Sequence, residues 1–116
     1  METKKNEEVG FQDEYPVSVA LKILGGKWKI RIINSLIDGK RRYSELRKLI
    51  PDVSEKMLSQ ELKDLEKNKI VDRKFHPTVP PMVEYSLTEH GKSVKSLIGT
   101  LNDWGTNHQQ LIERMK

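Results

Sequence analysis

Three residues, Pro51-Asp52-Val53, separate two short runs of helical periodicity, and that spacing constrains the fold more than any other feature of the chain. The first run places Leu46, Leu49 and Ile50 on one face, with Ser44 as its expected N-cap and Glu45 favourably placed in its first turn. The second is expected from about Glu55 to Asn68, capped by Ser54, with Leu58, Leu62 and Leu65 as its buried stripe. Val53 before the cap and Leu58 in the first turn are spaced as a hydrophobic staple. Two helices joined by so tight a turn form a helix-turn-helix.

Beyond Asn68 the period changes from helical to two. Val71, Arg73 and Phe75 alternate with Asp72, Lys74 and His76. After Pro77-Thr78-Val79-Pro80-Pro81, Val83, Tyr85 and Leu87 alternate with Glu84 and Ser86. This is the pattern of a hairpin with a proline-stiffened loop. A hairpin directly after a helix-turn-helix is a wing. Upstream, Pro16 suits a first helical turn, and Val17, Ala20, Leu21 and Leu24 share a face until Gly25-Gly26 stops the helix. A second helix is expected from about Lys27 to Ile37, with Trp28, Ile32, Ile33, Leu36 and Ile37 inward. Asp38-Gly39 then turns the chain into a short strand over Lys40 to Tyr43. The expected fold is mainly α with a small β-hairpin, a winged helix-turn-helix flanked by N- and C-terminal helices.

Thr88 caps the last helical region. There Val94, Leu97, Leu101, Trp104, His108, Leu111 and Met115 recur at alternating spacings of three and four, and Ile98 and Ile112 widen the seam. Gly99 and Gly105 are expected to weaken, bend or break this helix. The seam is too long for so small a domain to cover, so all nine residues are assigned to a homodimer interface.

A chain of 116 residues with 35% hydrophobic side chains has little core to spare, which also favours a partner subunit. Its charge is unevenly placed. Residues 1–15 carry two basic and five acidic groups, residues 16–74 fifteen and eight, and residues 75–116 four of each. A basic middle suggests a region facing a polyanion. There is no cysteine, which removes disulfides, thiol catalysis and cysteine zinc sites and fits a cytoplasmic protein. No apolar run is long enough for a membrane span, and residues 1–14 read as a solvated tail rather than a secretory signal, leaving 15–116 as one domain.

With the leucine stripe turned inward, the helix after Ser54 presents Glu55, Lys56, Ser59, Gln60 and Lys63 outward, with Met57 at the edge. In double-stranded DNA, Gln60 suits adenine and Lys56 guanine, while Ser59 suits a base or a phosphate; Lys63 completes the base-reading set. Lys27, Lys29, Arg41, Arg42, Ser44, Ser54 and Lys74 are the expected backbone contacts, supplying affinity rather than sequence choice. A solvated helix face would show the same residue types, so the tight turn before it and the basic hairpin after it carry the assignment. Gly25-Gly26-Lys27 is no phosphate loop, because Leu21 and Trp28 stand where that motif needs Gly and Ser or Thr. His76, His90 and His108 lack helical ligand spacing, and no nucleophile–base pair is present, so neither a metal, a cofactor nor an enzyme is expected. The other reading is a winged-helix module that binds a protein through the same surface. No effector is indicated.

Four segments, in this order, resemble the HxlR-type transcriptional regulators: Gly25-Gly26-Lys27-Trp28; Arg42-Tyr43-Ser44-Glu45-Leu46; Val53-Ser54-Glu55-Lys56-Met57-Leu58; and Pro77 through Pro80-Pro81 and Val83 to Thr88. The resemblance covers about Tyr15 to Trp104. It implies a prokaryotic winged helix-turn-helix, homodimers held by the first and C-terminal helices, and operators with two half-sites. By position it puts the recognition helix at Ser54 and the wing at Val71 to Leu87. Two departures stand out. Tyr15 occupies the place where members often carry a cysteine, so thiol sensing does not transfer. Met82 follows the paired prolines where a basic residue is common, so a direct wing-tip phosphate contact does not transfer from the resemblance.

Overall fold

The computed structural model describes residues 15–116; the tail expected over 1–14 lies outside the described residues. In chain order the elements are α1 (Pro16–Leu24), α2 (Lys29–Leu36), β1 (Arg41–Arg42), α3 (Tyr43–Leu49), α4 (Glu55–Lys67), β2 (Val71–His76), β3 (Met82–Leu87), α5 (Glu89–Lys92) and α6 (Val94–Met115). The three strands form an antiparallel sheet in the order β1-β3-β2. Val71 lies opposite Leu87 and His76 opposite Met82, while Arg41 and Arg42 lie opposite Tyr85 and Glu84. The chain is a winged helix-turn-helix.

One core joins the helices to the base of the wing. Ile32, Ile33 and Leu36 from α2, Leu46 from α3, Leu58, Leu62 and Leu65 from α4, and Val71 from β2 are all fully enclosed. Burying each such side chain stabilises the fold by about 1.5–3 kcal/mol, so the leucine stripe of α4 fixes which face of that helix remains outside. Val53 and Leu58 are both buried, as the staple spacing predicts. Gly26 has φ +93, a left-handed backbone that glycine adopts without strain, and it turns the chain between α1 and α2. Gly91 has a different role. A Cβ there would stand 2.1 Å from the Ile70 carbonyl oxygen, so only glycine lets α5 lie this close to the start of the wing.

Several local expectations are corrected. α3 begins at Tyr43 rather than after Ser44, because Arg42 is extended in β1 and its N–H donates to the Glu45 carboxylate at 2.7 Å. Ser44 therefore sits inside the first turn. Leu49 is exposed, and the inner face of α3 continues instead through Leu46 and Ile50. α2 begins at Lys29. Trp28 precedes it as a half-buried cap residue, with Lys27 Nζ 4.8 Å and the Arg31 guanidinium 5.1 Å from its ring centre. The last helical region is two helices. Thr88 caps the first by accepting from the Gly91 N–H at 2.8 Å, and α6 then runs unbroken through Gly99 and Gly105.

α6 also divides the expected seam. Its first turn belongs to the protomer, with Val94 buried and Ile98 packed on the core. Val94 leaves the dimer-interface set, because the protomer's own core covers it, while Ile98 is only partly buried against that core. Leu97, Leu101, Leu111, Ile112 and Met115 face outward, and Trp104 is 66% exposed. The radius of gyration is 17.4 Å, against about 13 Å for a compact chain of roughly 100 residues. A 22-residue helix projecting from the body explains the excess.

Candidate nucleic-acid interface

The turn between α3 and α4 is held from two sides. Arg31 of α2 donates two parallel hydrogen bonds to the Asp52 carboxylate, both 3.0 Å, and Arg47 of α3 donates to the Val53 carbonyl at 3.2 Å. The hydrogen bond from Arg31 holds the Asp52 carboxyl below its usual pKa and raises that of Arg31. Both groups face water, so this fork fixes geometry more than it adds stability. Ser54 caps α4 by accepting from the Met57 N–H at 3.0 Å, which leaves its own O–H free to donate.

α4 is also gripped from behind. Lys29 Nζ lies 2.5 Å from Glu61 and 3.5 Å from Asp64, with its side chain only 12% exposed. Burial works to lower the Lys29 pKa, but the hydrogen bond and charge of Glu61, with Asp64, outweigh it and leave the pKa raised. Lys29 is thus an internal tie between α2 and α4, and the phosphate contact expected of it is withdrawn. Arg41 is partly committed as well, since its Nε donates to the Ser35 carbonyl at 3.1 Å.

The outer face of α4 is different. Lys56, Gln60 and Lys63 are exposed, and no hydrogen bond or ion pair engages their side chains among the described residues. With Ser59 they follow the spacing i, i+3, i+4, i+7, which forms one stripe opposite Leu58, Leu62 and Leu65. Ser59 is positioned from the side, its Oγ 3.2 Å from the Tyr43 hydroxyl, which also lies 3.3 Å from the Glu55 carbonyl.

Between this helix, the start of α3 and the wing lies a cleft of about 770 Å³. Arg42, Tyr43, Ser44 and Ser59 line one wall; Arg73, Tyr85 and the wing tip from Thr78 to Val83 line the other. The structure therefore brings Arg42, Ser44 and Ser59 together with the wing. Lys74 is not among the lining residues. It pairs in register with Glu84, whereas Arg73 pairs with Tyr85. Facing residues of an antiparallel pair share a side of the ribbon, and neighbours along a strand take opposite sides. The wing's cleft-side cation is accordingly Arg73, which the backbone set read from the sequence omitted. Lys27 stands over Trp28, outside the cleft.

Residues 23–113 match the HxlR-like helix-turn-helix family. The chain belongs to this family. YdeP of Bacillus subtilis (strain 168), an uncharacterized HTH-type transcriptional regulator, is 42% identical over 101 residues, covering 87% of this chain and 79% of YdeP. The crystal structure of the HTH-type transcriptional regulator ytcD superposes with a TM-score of 0.79 at 41% identity, covering 84% of this chain and 99% of that one. The redox regulator HypR in its reduced form also gives 0.79, at 38% identity, covering 85% and 98%. Family membership places the chain among helix-turn-helix transcriptional regulators, which are not enzymes. Among the described residues no cluster of three or more His, Asp or Glu side chains is placed to hold a metal ion, and no helix is long and apolar enough to cross a membrane.

Proposed function

We propose that residues 15–116 act as one winged helix-turn-helix unit that binds duplex DNA as a homodimer and regulates transcription, working in the cytoplasm of a prokaryotic cell. α4 enters the major groove, where Lys56, Ser59, Gln60 and Lys63 meet base edges. The observation that carries this reading is the bare stripe on α4. A helix fixed by a buried leucine face, a capped start and an ion pair behind it presents Lys56, Gln60 and Lys63, whose side chains no hydrogen bond or ion pair engages among the described residues, with Ser59 held beside them by Tyr43. Arg42, Ser44 and Ser54 are the backbone-phosphate contacts of this reading.

The homodimer reading rests on apolar surface. Tyr15 before α1 and Val17 and Leu21 on it are exposed, as are Leu97, Leu101, Trp104, Leu111, Ile112 and Met115 on α6. Trp104 and His108 stack with ring centres 5.1 Å apart on the same helix. A second copy would bury these faces and set two recognition helices on two half-sites.

Selection of bound fragments from random duplex DNA tests the whole reading. The expected product is a two-fold symmetric site with half-sites about 34–36 Å apart, or a multiple of that spacing. Recovery of fragments without a shared sequence would favour the protein-binding module instead.

A further inference from the structure

The cleft beside α4 has an unbalanced electrostatic composition. Its lining contains two guanidinium groups, Arg42 and Arg73, and no carboxylate. The other polar groups are the hydroxyls of Tyr43, Ser44, Ser59, Thr78 and Tyr85. The far side of the wing is balanced, since Glu84 lies 2.7 Å from His76 and 3.9 Å from Lys40. Lys74 shares that side by its register with Glu84 and does not line the cleft; Arg42 also lies opposite Glu84, but at the end of β1, where the chain turns into α3, it does line the cleft.

Arg73 is exposed and lies opposite Tyr85 in register, so the two share the cleft side of the ribbon. Burial pushes the Tyr85 phenol upward in pKa, against the opposing pull of Arg73. Glu66 of α4 acts on Tyr85 electrostatically but does not line the cleft. Two cations and several hydroxyls around one concavity, with no competing carboxylate, match the chemistry of a tetrahedral oxyanion. Ser59 joins the cleft to the base-reading stripe, so an anion seated here lies beside the major-groove contacts rather than remote from them.

We infer that this cleft seats one backbone phosphate of the bound duplex, held by Arg73 of the wing and Arg42 before α3. The inference rests on the DNA-binding reading above and adds to it the residues that clamp the strand between wing and recognition helix. Lys74 takes no part in the seat.

The test compares the unaltered chain with R73Q, R73K, R42Q and K74Q. Affinity for one fixed duplex is followed between about 50 and 200 mM salt, and each variant's fold is checked by thermal melting. Leaving one phosphate without its cations should lower the slope of log affinity against log salt by about 0.9. Because the two guanidiniums share one phosphate, R73Q and R42Q should each show part of that change, with affinity for specific and unrelated duplexes weakened by the same factor, about tenfold or more. R73K should keep the slope, and K74Q should behave as the unaltered chain. An unchanged slope in both R73Q and R42Q, or the reduced slope appearing in K74Q instead, would overturn the assignment. So would a cleft in which R73Q weakens binding of inorganic phosphate while leaving the duplex slope intact, because the ligand would then be a small anion. An unaltered chain whose duplex binding ignores salt would overturn the DNA-binding reading and this one together. A normal slope in the unaltered chain separates the two failures.

Discussion

Reversing the charge of Lys56 and Lys63 together, as K56E/K63E, should abolish sequence-specific DNA binding while leaving the fold and the dimer intact. Both side chains are exposed on the outer stripe of α4 and have no intramolecular partner among the described residues, so their loss removes nothing the protomer relies on. A base contact is worth about 1–3 kcal/mol. Losing two costs roughly 2–6 kcal/mol, or about 30- to 10⁴-fold in affinity, before the repulsion of two new carboxylates from phosphate is added. A gel-shift titration on a selected site measures it. Unchanged affinity would remove α4 from the groove.

The second large effect is expected from L101D/L111D on α6. Both leucines are about half exposed in the protomer, so the substitutions leave the core alone. In a dimer they would bury two carboxylates per subunit in an apolar seam, which is strongly unfavourable without partners. Sedimentation at micromolar concentration should show a dimer for the unaltered chain and a monomer for the variant. Operator affinity should fall about 10²- to 10⁴-fold, because each half-site then binds alone. A variant that stays dimeric would move the interface elsewhere, with the exposed face of α1 the next surface to test.

What the sequence made legible was local. The Pro51 turn, the Ser54 cap, the leucine stripe and the change of period at Val71 are each encoded within a few residues, and all reappear in the structure. What it hid depended on distant residues. Lys29 has the look of a surface cation until Glu61 and Asp64, 32 and 35 positions away, are brought beneath it. Alternation along β2 separates Arg73 from Lys74 correctly but does not show that the inward side of the ribbon opens into a cleft beyond the core. The α6 pattern runs unbroken from Val94 to Met115. Periodicity alone does not mark where the protomer's own core stops, at Ile98, and the outward face begins. Ser44 is no cap because β1 holds Arg42 extended, a sheet contact made with a strand more than forty residues later. The close approach of Gly91 to Ile70 leaves no sequence signal beyond the glycine itself.

The central claim is that this chain reads DNA sequence through α4 while anchoring on phosphates around it. Its most direct test is the affinity of the unaltered chain for a selected site and for a scrambled duplex, each followed over a range of salt. The account predicts a steep fall with salt on both duplexes and a preference of about 10³-fold or more for the selected site. Equal affinity for the two duplexes, or binding that does not change with salt, would contradict it.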